Sequence, residues 1–251
     1  MSSVNPLQSG IAVMLLVAVA MTTLSLAGVR IHRDALVAIG RAGVQLVVVA
    51  SVIAWVFRHP EGAALYLGVM VVAATATSVR RIRCGWRLAP RVGLALLLGA
   101  TIAVGLVTAS GALRFSSQTI VPFAAQIVGG AMMATSLTGT RLRDDVIQHW
   151  SQVEGWLALG ATPRQAVAGF GRVAIARALI PAIDQTRSAG LVTLPGAFVG
   201  LLLGGASPAE AAEVQLLVLA GLLAAETVAA AATAHQLGSW LGAQRPDGEQ
   251  T

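Results

Sequence analysis

The chain has no lysine, one cysteine, one tyrosine and little charge of either sign. Each shortage removes a class of protein. Charged residues make up 11% of the 251 positions, against about a quarter in soluble domains, so too little charge exists to coat a water-facing surface. Every basic residue other than histidine is arginine, which we read as compositional bias rather than mechanism. A lone Cys84 forms no internal disulfide and fixes no redox compartment. Alternating apolar and polar runs are missing, which argues against a β-barrel. No G-x-x-x-x-G-K-[ST] phosphate loop occurs, so the chain cannot cradle ATP phosphates in the usual way. Gly169-Phe170-Gly171 followed by Ala174 faintly resembles a dinucleotide fingerprint, but no strand precedes it and we read it as chance. His32, His59, His149 and His235 are scattered, without H-x-x-x-H or C-x-x-C spacing. No metal site can be assembled from them, nor a cluster of Ser, His and Asp for a membrane enzyme.

What the chain does have is apolar blocks: 56% of its residues are hydrophobic. Several blocks approach the 20 or so residues that cross roughly 30 Å of hydrocarbon. In lipid the backbone must satisfy its own hydrogen bonds, which makes these blocks helices. The expected fold is an all-α integral membrane protein with about seven transmembrane helices and a long cytoplasmic helical loop. The expected spans are 9–28, 36–57, 63–79, 92–109, 119–137, 191–205 and 209–234. The first lacks a basic stretch before it and is followed by arginine, so it reads as a retained helix rather than a signal peptide. Placing the N-terminus outside puts fifteen arginines in cytoplasmic segments, among them Arg30, Arg80, Arg141, Arg164 and Arg245. Only Arg58 and Arg114 then fall outside. By the positive-inside rule the C-terminus is cytoplasmic. The expected location is the cell (inner or plasma) membrane. Arginines lying between apolar blocks, not along one face, also argue against nucleic acid despite a pI near 11.3. A single domain is expected over 1–241, with 138–189 as the cytoplasmic segment and 242–251 as a short polar tail.

The cytoplasmic segment is the informative part. Leu142, Val146, Trp150, Val153 and Leu157 form one stripe at helical spacing, opposite Arg141, Asp144, Gln148 and Ser151. The stripe alone suits a helix at the membrane surface, or a platform against another protein. Gly160 then ends a helix, because glycine tolerates left-handed backbone angles. Thr162 caps the next, with Pro163 first and Gln165 third, a capping box with a proline start.

From Glu154, five residues lead to Gly160-Ala161-Thr162-Pro163. This pattern resembles the cytoplasmic "EAA" loop of ABC-transporter permeases. That resemblance implies a coupling helix docking in an ATPase cleft, formed here by Glu154, Gly160, Ala161, Thr162, Pro163, Arg164 and Gln165. One departure is that the closing Leu-Pro has its counterpart in Ile180-Pro181, further along. The stretches 178–186 and 190–196, with Gly204-Gly205-Ala206-Ser207-Pro208 and Gln215, resemble the FetB-type permease family, as do Gly40-Arg41-Ala42, Gln45 and Leu46 near the second span. The resemblance implies a permease subunit without bound cofactor. ATP and magnesium would sit on two copies of a separate ABC ATPase, paired with a homodimer of this chain. Bacterial relatives are assigned to iron export. Plant relatives are linked to aluminium tolerance, and one to nucleotide-sugar transport.

Polar residues inside the spans are the candidates for a translocation path. Glu226 is the best intramembrane carboxylate, and Gln215 shares its helical face, as does Thr233. An ionisable group at depth is a functional candidate because burying its charge is costly. A neutral, hydrogen-bonded Glu226 is the structural alternative. Gln126 and Met133 share a face of the fifth span, and Arg41 and Gln45 lie in the second. Pro195 precedes Gly196, Gly200 and Gly204, spaced for close helix packing within the subunit or across a homodimer. Two other functions remain open at this point: the same machine moving a nucleotide sugar or other anion, and a stand-alone channel or secondary transporter, which inverted repeats would favour.

Overall fold

The computed structural model describes residues 5–29, 31–59, 61–114 and 116–243. Arg30, Arg245 and most of the expected tail (244–251) lie outside the described residues. Among the described residues the secondary structure is helical apart from one isolated bridge between Ala189 and Thr193. The chain divides into two compact units, Met1–His59 and Pro60–Thr251.

The first unit is a pair of helices, α1 (Pro6–Leu26) and α2 (His32–Arg58). Asn5 starts α1 by accepting the Leu7 amide at 3.1 Å, with Pro6 in the first turn. The Ser25 hydroxyl and His32 Nε2 meet at 2.9 Å across the turn. Both helices are long and apolar enough to cross a membrane, and most of their Leu, Ile and Val side chains are exposed. In a bilayer that exposure is solvation by lipid.

The second unit is built around its last helix. Its elements are α3 (Gly62–Ile82), a 3-10 turn Trp86–Leu88, α4 (Ala89–Ala109), α5 (Ser117–Gln148), α6 (Trp150–Ala158), α7 (Pro163–Ser188), α8 (Gly196–Leu203) and α9 (Pro208–Ala243). Helix α9 packs along α4, α5 and α7, while α3 lies against α4 and α5. A capping box opens α9: the Ser207 hydroxyl accepts the Glu210 amide at 3.3 Å, and Glu210 Oε2 accepts the Ser207 amide at 3.1 Å. One core cluster joins Leu96, Ala100, Phe123, Ile127, Val218 and Ala225; the other joins Ile82, Leu142, Val146, Val153, Val167 and Leu237. The stripe from Leu142 to Leu157 therefore packs against protein, not a membrane surface. It also spans two helices, because the chain breaks at His149 between α5 and α6.

Six of the expected spans coincide with helices long and apolar enough to cross a membrane. The expected span 191–205 does not. It contains only α8, whose eight residues reach about 12 Å at 1.5 Å per residue, under half of the hydrocarbon thickness. The seventh candidate span is α7, inside the stretch read from sequence as polar loop. Arg164, Arg172, Arg177, Asp184 and Arg187 dilute its apolar character. Its packing face instead uses small residues, including Ala166, Gly171, Ala174, Ala178 and Ala182, all buried. Asp145 on α5 pairs with Arg177 at 3.7 Å. Pro181 lies inside α7 rather than closing a loop, and its missing N–H leaves the carbonyl four residues earlier without a helical partner.

Helices α4 and α9 are in close contact at Gly99, where a Cβ would run into the backbone carbonyl of Ala225 and lie 3.0 Å from Ala229 Cβ. A backbone atom cannot rotate away. Gly99→Ala is expected to destabilise the second unit by about 1–3 kcal/mol, the usual cost of overpacking, read as a lower melting temperature in detergent.

Candidate functional site

A cavity of ≈ 460 Å³ lies between α5, α7, the start of α8 and α9. Four residues proposed for a path from sequence line it together: Gln126, Met133, Gln215 and Glu226. The Gln126–Met133 face of α5 and the Gln215–Glu226 face of α9 meet here. Thr233 does not join them; it is buried and donates to the Ala229 carbonyl at 2.7 Å. Arg41 and Gln45 are exposed on α2 and belong to the first unit.

Glu226 sits half-buried in the wall of this cavity. Its carboxylate fits because the facing residue on α5 is Gly130: a Cβ there would lie 2.7 Å from Glu226 Oε1 and 2.6 Å from Leu222 Cδ2. Gln185 and Pro181 of α7 complete the polar side. These two, and Gly130, were not found from the sequence. The glycine pair 129–130 inside α5 was the available signal, and it reads as ordinary helix packing until its partner is known. Arg81 on α3 donates to Met133 Sδ at 3.7 Å. It does not itself line the cavity.

Gln215 also bonds to α8. It is buried, and its Oε1 accepts the Phe198 backbone N–H at 3.2 Å. That amide lies in the first turn of α8, where helical donors have no partner in their own helix. Pro195 and Gly196 line the cavity. Apart from chain neighbours and the backbone of α8 itself, no described atom lies within 4 Å of a Cβ built at Gly196 or Gly200, and one at Gly204 would meet only carbonyl groups of α8, nearest at 3.3 Å. Within the second unit, then, this glycine face makes no close helix contact.

The other candidate region is the bend from α6 to α7. Gly160 adopts φ 88°, the left-handed region that suits glycine. The Ala161 amide bonds back to the Trp156 carbonyl at 3.0 Å and the Gly160 amide to Leu157 at 3.0 Å, the Schellman pattern of a glycine-ended helix. Thr162 and Gln165 form the expected capping box, with Gln165 Oε1 accepting the Thr162 amide at 2.9 Å. Pro163 opens α7. Glu154 is exposed, and so are Trp156 and Leu159, the latter by 81%. The bend is braced from below by α9: Arg164 contacts His235 Nδ1, and Gly242 packs directly on the Pro163 carbonyl. Thr162→Ala is expected to cost about 1 kcal/mol through the lost cap, visible as a small drop in melting temperature.

Comparison with known proteins places this architecture. A rice membrane protein, UPF0014 membrane protein STAR2 (Oryza sativa subsp. japonica), is 39% identical over 78% of this chain and 69% of its own length. Protein ALUMINUM SENSITIVE 3 of Arabidopsis thaliana is 34% identical over 76% of this chain and 70% of its own. An Escherichia coli (strain K12) protein named Probable iron export permease protein FetB is 33% identical over 77% of this chain and 75% of its own. No solved structure matches. Residues 7–239 match the family described as Uncharacterised protein family (UPF0014), and the chain belongs to that UPF0014 family of membrane proteins.

Proposed function

We propose that the chain is the membrane permease of an ATP-driven exporter for a metal cation such as ferrous iron. The observation that carries this reading is the cavity in which α5, α7 and α9 gather Glu226, Gln126, Gln185 and Met133, with no arginine in its described lining. A carboxylate, amide oxygens and a thioether suit a divalent cation held weakly and released again. Similarity to the protein named as an iron export permease supports the same cargo.

The exposed bend at Trp156–Gln165 is the docking point for a separate ATPase. Its apolar tip is held by a glycine stop on one side and a capping box on the other, so a push there is passed to α7 and α9. As each chain carries one such bend, two copies pair with two ATPase subunits, which hold the ATP and magnesium. The open glycine face of α8 is available to that homodimer. Replacing the expected span 191–205 by α7 keeps seven crossings. Arginine distribution then still supports an outside N-terminus, with the bend and the C-terminus in the cytoplasm.

A second reading has one observation in its favour. The N-terminal end of α8 faces the cavity through Gly196 and Ala197, and helix N-termini attract anions such as a nucleotide-sugar phosphate. Gln215 already occupies one of those amides, and Glu226 would repel an anion, so the cation leads.

The test is affinity purification in detergent, identification of co-purifying proteins, and ATPase assay with and without ferrous iron. A stoichiometric ATPase stimulated by iron supports both parts. An ATPase indifferent to iron but stimulated by a nucleotide sugar transfers the reading to anions. Absence of any ATPase, in detergent that preserves a known transporter complex, overturns the permease and favours a stand-alone channel or transporter.

A further inference from the structure

A second, apolar cavity of ≈ 300 Å³ lies beside the first, lined by Gly190, Leu194, Phe198, Ala212 and Leu216 among others. Both cavities are bounded by the same two residues, Pro195 and Gln215. Along α9 they follow one another. The apolar cavity touches residues 212–219, toward the helix start, and the polar cavity touches 215–226, deeper in. The wall between them is held by one hydrogen bond, from the Phe198 N–H to Gln215 Oε1.

The wall stands on unusual backbone. Between α7 and α8 the chain leaves helical geometry over residues 189–195, with Gly190 at φ 81°. After α8 it turns at Gly205, φ 91°. Helix α8 is therefore a short piece between two glycine turns, with no fully buried residue of its own. Non-helical backbone at membrane depth is tolerated where it lines a cavity, and here it lines both. Gln215 is the only side chain recorded as hydrogen-bonding α8 to α9 among the described residues.

We propose that Gln215 is a positioning residue that holds α8 as a removable partition between the carboxylate cavity and an apolar vestibule. This rests on the permease reading for its purpose, since the passage it closes is the cargo path. When the Gln215 bond breaks, Pro195 and the start of α8 swing on Gly190 and Gly205 and the two cavities become one passage. Gln215 thus contributes an acceptor to the wall, not a ligand to the cargo.

The test needs neither ATPase nor cargo, so its failure is separate from failure of the permease reading. The native Cys84 is buried, and desolvation pushes its thiol up from the usual range, which makes it slow to react; it is replaced by alanine. A reporter cysteine is placed in the polar cavity (Ala134→Cys) or in the vestibule (Ala212→Cys). A membrane-impermeant thiol reagent is applied to intact cells and to inside-out vesicles. With Gln215 present, Ala134→Cys is labelled from one face only and Ala212→Cys from the opposite face. Adding Gln215→Leu is expected to raise labelling of Ala134→Cys from the formerly closed face about tenfold, the shift that one lost buried hydrogen bond allows. Gln215→Glu keeps a carbonyl acceptor and is expected to restore the barrier. Phe198→Pro removes the donor instead, and proline is tolerated in a first helical turn; it is expected to open the wall like Gln215→Leu, which covers the case where that variant fails to fold. Labelling of Ala134→Cys from both faces with Gln215 intact overturns the partition. So does unchanged one-sided labelling in both bond-breaking variants, or a Gln215→Glu barrier as open as that of Gln215→Leu.

Discussion

On the metal-export reading, export of ferrous iron is expected to fall several-fold to about tenfold in Glu226→Gln, because an interaction with a charged group is worth about 1.5–3 kcal/mol against about 1 kcal/mol for a neutral one. Glutamine keeps the size and one carbonyl oxygen, so the helix contacts of α9 survive and only the charge is lost. The companion variant is Gly130→Ala. Its new methyl would meet the far ends of two flexible side chains, Glu226 Oε1 and Leu222 Cδ2. The helices can stay where they are while the carboxylate is pushed from its place. Gly130→Ala is therefore expected to lose export with its melting temperature held or slightly raised, since alanine is the better helix former by about 1 kcal/mol. Gly105→Ala on α4, where nothing lies within 4 Å, is the matched control and keeps export. Measured as iron efflux from loaded cells per amount of membrane protein, wild-type efflux in both Glu226→Gln and Gly130→Ala would reduce Glu226 to a packing residue.

Ala161→Arg is expected to abolish cargo-stimulated ATP hydrolysis while leaving the folded protein intact. Ala161 follows Gly160 at the bend, and its contribution to the fold is the backbone amide bonded to Trp156, which arginine retains. Ala161 is half-buried, so the stability cost of arginine is read directly, as the melting temperature of the variant. What changes is the tip: a long cation enters the patch formed by Trp156 and Leu159, a partly desolvated charge at what should be an apolar contact. The reconstituted complex is assayed for basal and stimulated ATPase, with gel filtration of the variant alone. Unaltered stimulation would remove the bend from the contact with the ATPase. Lost stimulation with an intact gel-filtration profile would support it.

Local signals made the bend readable. Gly160, Thr162, Pro163 and Gln165 act over a single turn each, so their residue types alone specify a helix stop and a capped start, and both are present. Ser207 and Glu210 are readable for the same reason. Apolar length revealed six of the candidate spans. Helix α7 escaped because its arginines lower its hydropathy, while its stability comes from a stripe of small residues that means little without α9 beside it. The stretch 191–205 failed in the opposite sense: it is apolar enough, yet Gly190 and Gly205 cut it to two turns of helix. Within the cavity, helical spacing placed Gln126 with Met133 and Gln215 with Glu226, because a face of one helix is a sequence property. Which side chain meets which across two helices is not, so the space left by Gly130 and the bond from Gln215 to α8 emerged only in three dimensions.

The tight contact at Gly99 gives α9 a pivot. Its 36 residues hold no proline after the first, which removes the commonest cause of a kink. Gly99 presses on it between Ala225 and Ala229. Below that point, Gly242 bears on Pro163 at the bend; above it, Gln215 holds the partition. At 1.5 Å per residue the two arms are about 22 Å and about 18 Å. A sideways push of about 3 Å at the lower end then returns about 2.4 Å at the upper end, in the opposite direction. That travel is enough to pull apart a hydrogen bond of 3.2 Å. Turning about Gly99, α9 would act as a lever with nearly equal arms, passing a push at the bend on to α8.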